Sequence, residues 1–176
     1  HFITKFQVLL AAEMPDEAAA FLEDLIHLFD GAIRQRTQIC ILAAHAFASK
    51  WRGAGDYAER LRTFMAHLRA ANWTAALINL PDHLAELCAD ALELDIEQDF
   101  CTALIRRRAL VPPESSPSRW PWPLRLFVLG EFRMELHGAP VNAGAKPSTR
   151  SLDILRVLAI SKDHACSLQD IYEWLW

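Results

Sequence analysis

The sequence predicts a mainly α-helical protein: a helical-repeat segment, a proline-rich junction, then a small module of strands and helices. Three observations carry this reading. Residues 1–110 place apolar side chains at helical spacing, residues 111–123 hold five of the nine prolines, and residues 124–138 alternate like strands.

The 176 residues are 52% hydrophobic and 23% charged, the balance of a globular chain rather than a disordered one. A net charge of −4, from 18 Lys and Arg against 22 Asp and Glu, excludes a chain drawn to nucleic acid or anionic membrane by bulk charge alone. No run of about 18 uncharged apolar residues occurs, so no transmembrane helix is expected. The opening residues, HFITKFQVLL, lack the charged start and cleavage site of a signal peptide and read like the inside of an amphipathic helix. The final IYEWLW also stops within a helical pattern. The chain therefore reads as an internal piece of a longer, cytoplasmic protein.

Breaks at residues 14–16, 30–32, 52–56 and 80–82, each built on Pro or Gly, delimit helices expected to run about 12 to 18 residues. A shift of 40 residues matches Asp16 to Asp56, Ala18 to Ala58, Phe21 to Leu61, Leu25 to Met65 and Leu28 to Leu68. The apolar matches fall on one helical stripe, and each Asp is placed to cap the second helix of a pair. A weaker third copy runs through Phe100 and Leu104. A period near 40 with paired helices predicts an α-solenoid of the tetratricopeptide-like class, against the alternative of an ordinary antiparallel bundle. Ala43, Ala44, Ala46, Ala48 and Ala58 favour close helix packing.

The junction LVPPESSPSRWPWP is expected to be an extended linker, because proline fixes φ and removes backbone donors. Beyond it, Leu124, Leu126 and Val128, then Phe132, Met134 and Leu136, define two strands with a turn near Gly130 and Glu131. A short third strand is expected at Val141. A helix starting near Pro147 to Thr149 carries Leu152, Leu155, Leu158 and Ala159 on one face. A last helix is capped by Ser167, has Asp170 in its first turn, and carries Leu168, Ile171, Tyr172 and Leu175 as its stripe.

The runs LRLFVLGEFRMELHGAPV and RSLDILRVLAISKDHACSLQDIYEWLW resemble the start of a winged-helix domain of the OmpR/PhoB type. There a small antiparallel sheet precedes three helices, of which the third enters the major groove. Ser167, Leu168, Ile171, Leu175 and Trp176 fill the positions of that family's second helix. Upstream, the junction from IRRRALVPP to WPWPLRLFVLG is similar to the end of the repeat region in large maltose-regulator-like, LuxR-type ATP-dependent bacterial activators, in the variant with a winged helix and a bacterial transcriptional activator domain. The resemblance implies three segments: 1–110 helical repeats, 111–123 linker, and 124–176 the first part of a winged helix whose recognition helix would follow Trp176. It further implies DNA as the partner of the complete domain, a protein or small-molecule inducer at the repeats, and ATP only in an upstream domain of the parent. No cofactor and no membrane partner are expected for this chain.

Candidate DNA-backbone contacts are Lys146, Arg150 and the amide end of the helix capped by Ser167. Residues 120–176 nevertheless carry six basic and six acidic side chains. Arg106, Arg107 and Arg108 are read as favouring the negative end of a helix rather than as phosphate ligands. Trp120 and Trp122 are expected to pack on the strand-helix module, with Trp174 or Trp176 completing its core. Without a third helix, Leu158 and Leu175 should expose apolar faces.

Catalysis finds no footing: there is no P-loop, GxSxG or HExxH motif. His45 reads as partly buried, and Asp24, Glu86 and Asp90 as solvated helix faces. Cys40, Cys88, Cys101 and Cys166 form no CxxC pair and read as reduced, helix-borne core residues, so no metal is expected. The rival to a DNA-binding regulator is a protein-interaction scaffold of helical repeats with a winged helix that does not bind DNA.

Overall fold

Proline opens two helices of the first half, as the missing N–H at a first helical position dictates. A computed structural model describes residues 2–77, 79–115, 118–130, 132–141, 149–161 and 165–175. Its helices are α1 (Phe2–Ala11), α2 (Pro15–Glu23), α3 (Gly31–Trp51), α4 (Tyr57–Ala70), α5 (Pro81–Glu93) and α6 (Gln98–Arg108), with a 3-10 turn at Ile26–Leu28. Pro15 and Pro81 occupy the first turns of α2 and α5. The helices run from 9 to 21 residues, a wider range than their spacing suggests, because α3 continues through its alanine-rich centre to Trp51.

Helix ends repeat one device. Glu13, Gly53, Asn72, Asp95 and Ala109 take positive φ values of 58°, 63°, 47°, 56° and 47°. After each, the next residue donates back five positions: Met14 to Leu9, Ala54 to Ser49, Trp73 to Leu68, Ile96 to Ala91 and Leu110 to Ile105. This left-handed closure satisfies carbonyls that a helix end leaves open. Glycine serves at one of the five.

The chain forms two compact units, His1–Trp120 and Pro121–Trp176. In the first, each of α1 to α6 packs on its neighbour in sequence. Side-chain ties also skip a helix. Lys50 of α3 pairs with Glu86 and Asp90 of α5, and Cys101 of α6 lies 4.0 Å from the Met65 sulfur of α4. Phe6, Leu22, Ile39, Phe47, Phe64 and Leu84 are among the fully buried side chains. Ala43, Ala44, Ala46 and Ala48 are all buried, as close helix approach requires, while Ala58 is half-buried.

Several expectations are corrected here. Asp16 does not cap α2, because Met14 holds that position; its carboxylate instead accepts from Arg52 at 2.6 Å. Asp56 does hold the cap position of α4, but its side chain accepts from Ser49 and Arg60, both at 2.6 Å. The matched stripe breaks after Glu23, where α2 ends. Leu28 is 65% exposed, whereas its counterpart Leu68 is fully buried. Trp120 is 2% exposed and is the last residue of the helical unit. Cys166 is half-buried and precedes a helix rather than lying in one.

The second unit is an antiparallel sheet of β1 (Leu124–Phe127), β2 (Arg133–Leu136) and β3 (Ala139–Pro140), in the order β1-β2-β3, followed by α7 (Thr149–Ile160) and α8 (Leu168–Leu175). Leu124 pairs with Leu136 and Leu126 with Met134, the register that period-two alternation demands. The third strand ends one residue before Val141, whose amide still donates to the Met134 carbonyl at 3.0 Å. Among the described residues no helix is long and apolar enough to cross a membrane.

Candidate functional site

Ser167 is a working helix cap. Its hydroxyl accepts the Asp170 amide N–H at 3.1 Å, and the Asp170 carboxylate accepts the Ser167 amide at 3.1 Å and its hydroxyl at 2.7 Å. The exchange is a capping box, with Asp in place of the more usual Glu. It also sets a carboxylate on the positive end of α8, where a phosphate would otherwise be drawn. Arg150, the second residue of α7, is exposed. It sits on a different helix from Ser167. Lys146 lies outside the described residues.

The second unit has little interior. Val157, at 7%, is its one buried apolar side chain among the described residues. Leu126 and Val128 from the β1 strand and its continuation, with Leu155, Leu158 and Ala159 from α7, line an open groove of about 340 Å³. On α8, Ile171 and Leu175 are half-buried, but Leu168 at 75%, Tyr172 at 63% and Trp174 at 59% face solvent. Three- and four-residue spacing puts Leu168, Tyr172 and Leu175 on one stripe. Two arginines of this unit lie over aromatic rings: Arg133 at 4.0 Å from the Phe127 centroid, and Arg156 at 4.6 Å from that of Phe132. Such stacking occupies the guanidinium face.

The helical unit holds a polar cluster that its sequence does not announce. The Lys50 ammonium lies 2.8 Å from Asp90 and 3.1 Å from Glu86, and the Tyr57 hydroxyl donates to Asp90. Burial works to lower the Lys50 pKa, but the hydrogen bond and charge of Asp90, then of Glu86, outweigh it and hold the ammonium above its ordinary value. Burial, followed by the Asp90 carboxylate, pushes the Tyr57 phenol up. Glu86 and Asp90 are therefore tied to α3 and α4 and are not the freely solvated carboxylates their spacing suggests. They border a cavity of about 490 Å³ whose other walls include Asp82, Pro112 and Glu114.

Sequence reasoning also missed Arg108 as an inter-element tie. It sits in the last turn of α6, as expected, and its guanidinium donates to the Thr74 and Ala76 carbonyls at 2.8 and 3.2 Å. His45 is half-buried, 2.9 Å from Glu23. Burial alone pushes the Cys40 thiol up to about 12, and the Cys101 hydrogen bond, followed by burial, raises Cys88, so neither is a ready nucleophile. Among the described residues no three His, Cys, Asp or Glu side chains converge as a metal site. No protein-family model, curated protein or solved structure matches the chain.

Proposed function

We propose that the chain is part of a cytoplasmic bacterial transcription regulator, in which a tetratricopeptide-like helical segment receives or relays a signal and the second unit is the opening of a winged-helix DNA-binding domain. The observation that carries this is the uncovered groove of Leu126, Val128, Leu155, Leu158 and Ala159 on a three-strand, two-helix unit. A winged helix has this element order and seats its third helix against its sheet and first two helices. That Val157 is the one buried apolar side chain among the unit's described residues supports a domain completed by a further element. Sequential packing of α1 to α6, with ties that skip one helix, supports the repeat reading. The inducer would meet the helical unit. ATP, if used, would be held by an upstream domain of the parent, and the segment itself is not read as an enzyme.

Two observations favour the scaffold reading. Asp170 caps α8 with negative charge, and residues 120–176 carry as many acids as bases, so these elements alone are poor DNA ligands. Fluorescence anisotropy against promoter DNA across a salt series separates the two. The 176-residue chain is compared with one continued by about 50 residues of its natural sequence, the length a recognition helix and wing require. The regulator reading expects binding by the continued chain only, with log affinity falling steeply against log salt. Absence of binding by both at low salt overturns it in favour of the scaffold.

A further inference from the structure

The helical unit is acidic, with 12 basic side chains against 16 acidic ones in residues 1–120. One groove on it departs from that balance. Helix α4 packs back along α3, so the first turns of α3 lie beside the last turns of α4. There Arg34, Gln35 and Gln38 of α3, with His67 and Ala70 of α4, line a space of about 460 Å³. Ile39, 1% exposed, forms its apolar floor. Among the described residues no carboxylate lines it. The 21 residues of α3 hold no Asp or Glu at all, and Asp30, which precedes them, is not part of the wall.

The polar walls of this groove have hydrogen bonds left to give. Among the described residues, the side chains of Arg34, Gln35 and Gln38 have no hydrogen-bond or ion-pair partner. Other arginines of α3, α4 and the turn between them are engaged: Arg36 lies over the Trp73 ring, Arg52 pairs with Asp16, Arg60 with Asp56 and Arg69 with Glu97. The His67 Nδ1 lies 2.8 Å from the Thr63 carbonyl oxygen, which can only accept. That nitrogen therefore carries the proton, and Nε2 is left for the groove. Arg34 and Gln38 stand four residues apart, and Gln35 and Gln38 three, so all three share one face of α3. Two facing helices thus present a guanidinium, two carboxamides and an imidazole to one space.

We propose that the groove between α3 and α4 binds a small organic anion, with Arg34 taking its phosphate or carboxylate group and Gln35, Gln38 and His67 holding the polar atoms beside it. A planar guanidinium fork matches two oxygens of either group. Each carboxamide both donates and accepts, which suits ligand hydroxyls, and Nε2 accepts from a hydroxyl in the same way. The volume falls within the range of small-molecule sites, and Ile39 and Ala70 give a short carbon skeleton an apolar wall. The proposal names a ligand class for the helical unit. It stands whether or not the second unit reads DNA, because every group it uses belongs to α3 and α4.

Titration of the whole chain with inorganic phosphate and with citrate, at fixed pH and ionic strength, tests it. The readout is the NMR shift of the arginine and glutamine side-chain nitrogens. At least one of the two anions is expected to give saturable shifts at Arg34, Gln35 and Gln38, while glycerol, which is neutral, gives none. Saturation by phosphate or by citrate alone identifies which group the site takes. Arg34→Gln should weaken binding about tenfold, as loss of one charge-assisted hydrogen bond does. Arg106→Gln, at an exposed arginine of α6, should leave binding within about twofold. Arg34 is itself exposed, so its replacement leaves the fold intact. The proposal is overturned if neither anion saturates, if the shifts at Arg106 match those at Arg34, or if Arg34→Gln binds as tightly as the unaltered chain.

Discussion

Ser167 and Asp170 satisfy each other across the first turn of α8: each accepts the other's amide N–H at 3.1 Å. The pair stabilises the helix and at the same time fills its anion-attracting end. Helix stability and phosphate attraction therefore pull against each other at this position.

That opposition gives the first prediction. Ser167→Ala should cost about 1 kcal/mol, the usual worth of a cap, and should fray α8. Asp170→Ala should cost a similar amount, and the double variant little more than either alone, since both changes break one box. In a chain able to bind DNA, Asp170→Ala should tighten binding while Ser167→Ala does not. Chemical denaturation and anisotropy check the two halves. Equal, additive losses with unchanged DNA affinity would refute the shared box.

A second prediction concerns Leu28 and Leu68. Leu68 is fully buried in α4, so Leu68→Ala should cost about 2 to 5 kcal/mol. Leu28 follows the end of α2 and is 65% exposed, so Leu28→Ala should stay within about 0.5 kcal/mol. Urea denaturation of both variants decides whether the two matched positions do the same work. Comparable losses would show that they do.

The third prediction is the shape of the pH profile. Glu93 is held below the ordinary carboxylate range by the Arg119 amide, then by Ser118; Asp56 is held low by Ser49, then by Arg60. A depressed carboxylate contributes stability above its unfolded pKa and loses it as pH falls through the folded one. Melting temperature should therefore drop below about pH 4. Lys50 and Tyr57 are raised, so their contribution is whole below their unfolded values and is lost as pH rises. Stability should fall above about pH 10. Glu93→Gln should flatten the acid limb and Lys50→Met the alkaline limb, as read by calorimetry. Unchanged slopes would remove these groups from the account.

How much of this was legible follows from how local each signal is. The strands β1 and β2 and the Ser167 cap rest on period two and on a residue three positions away, and both stand in the structure as expected. The helix ends at Asn72 and Asp95 were not legible. They use a left-handed conformation that glycine advertises and other residues do not. The 40-residue match ran past the end of α2 for the same reason: apolar spacing does not register where a helix stops. Lys50 with Glu86 and Asp90, and Arg119 with Glu93, join residues far apart in sequence. Only packing brings them together, so a carboxylate on a helix face looks solvated until its partner is placed.

In the proposed regulator, the groove beside β1 and α7 seats a further helix. Methyl NMR on the chain continued past Trp176 in its natural sequence tests this most directly. Nuclear Overhauser contacts are expected from the Leu126, Leu155 and Leu158 methyls to residues after Trp176, with the same methyls solvent-accessible in the 176-residue chain. Methyls that remain without such contacts in the longer chain would contradict it, and the winged-helix reading would fall with them.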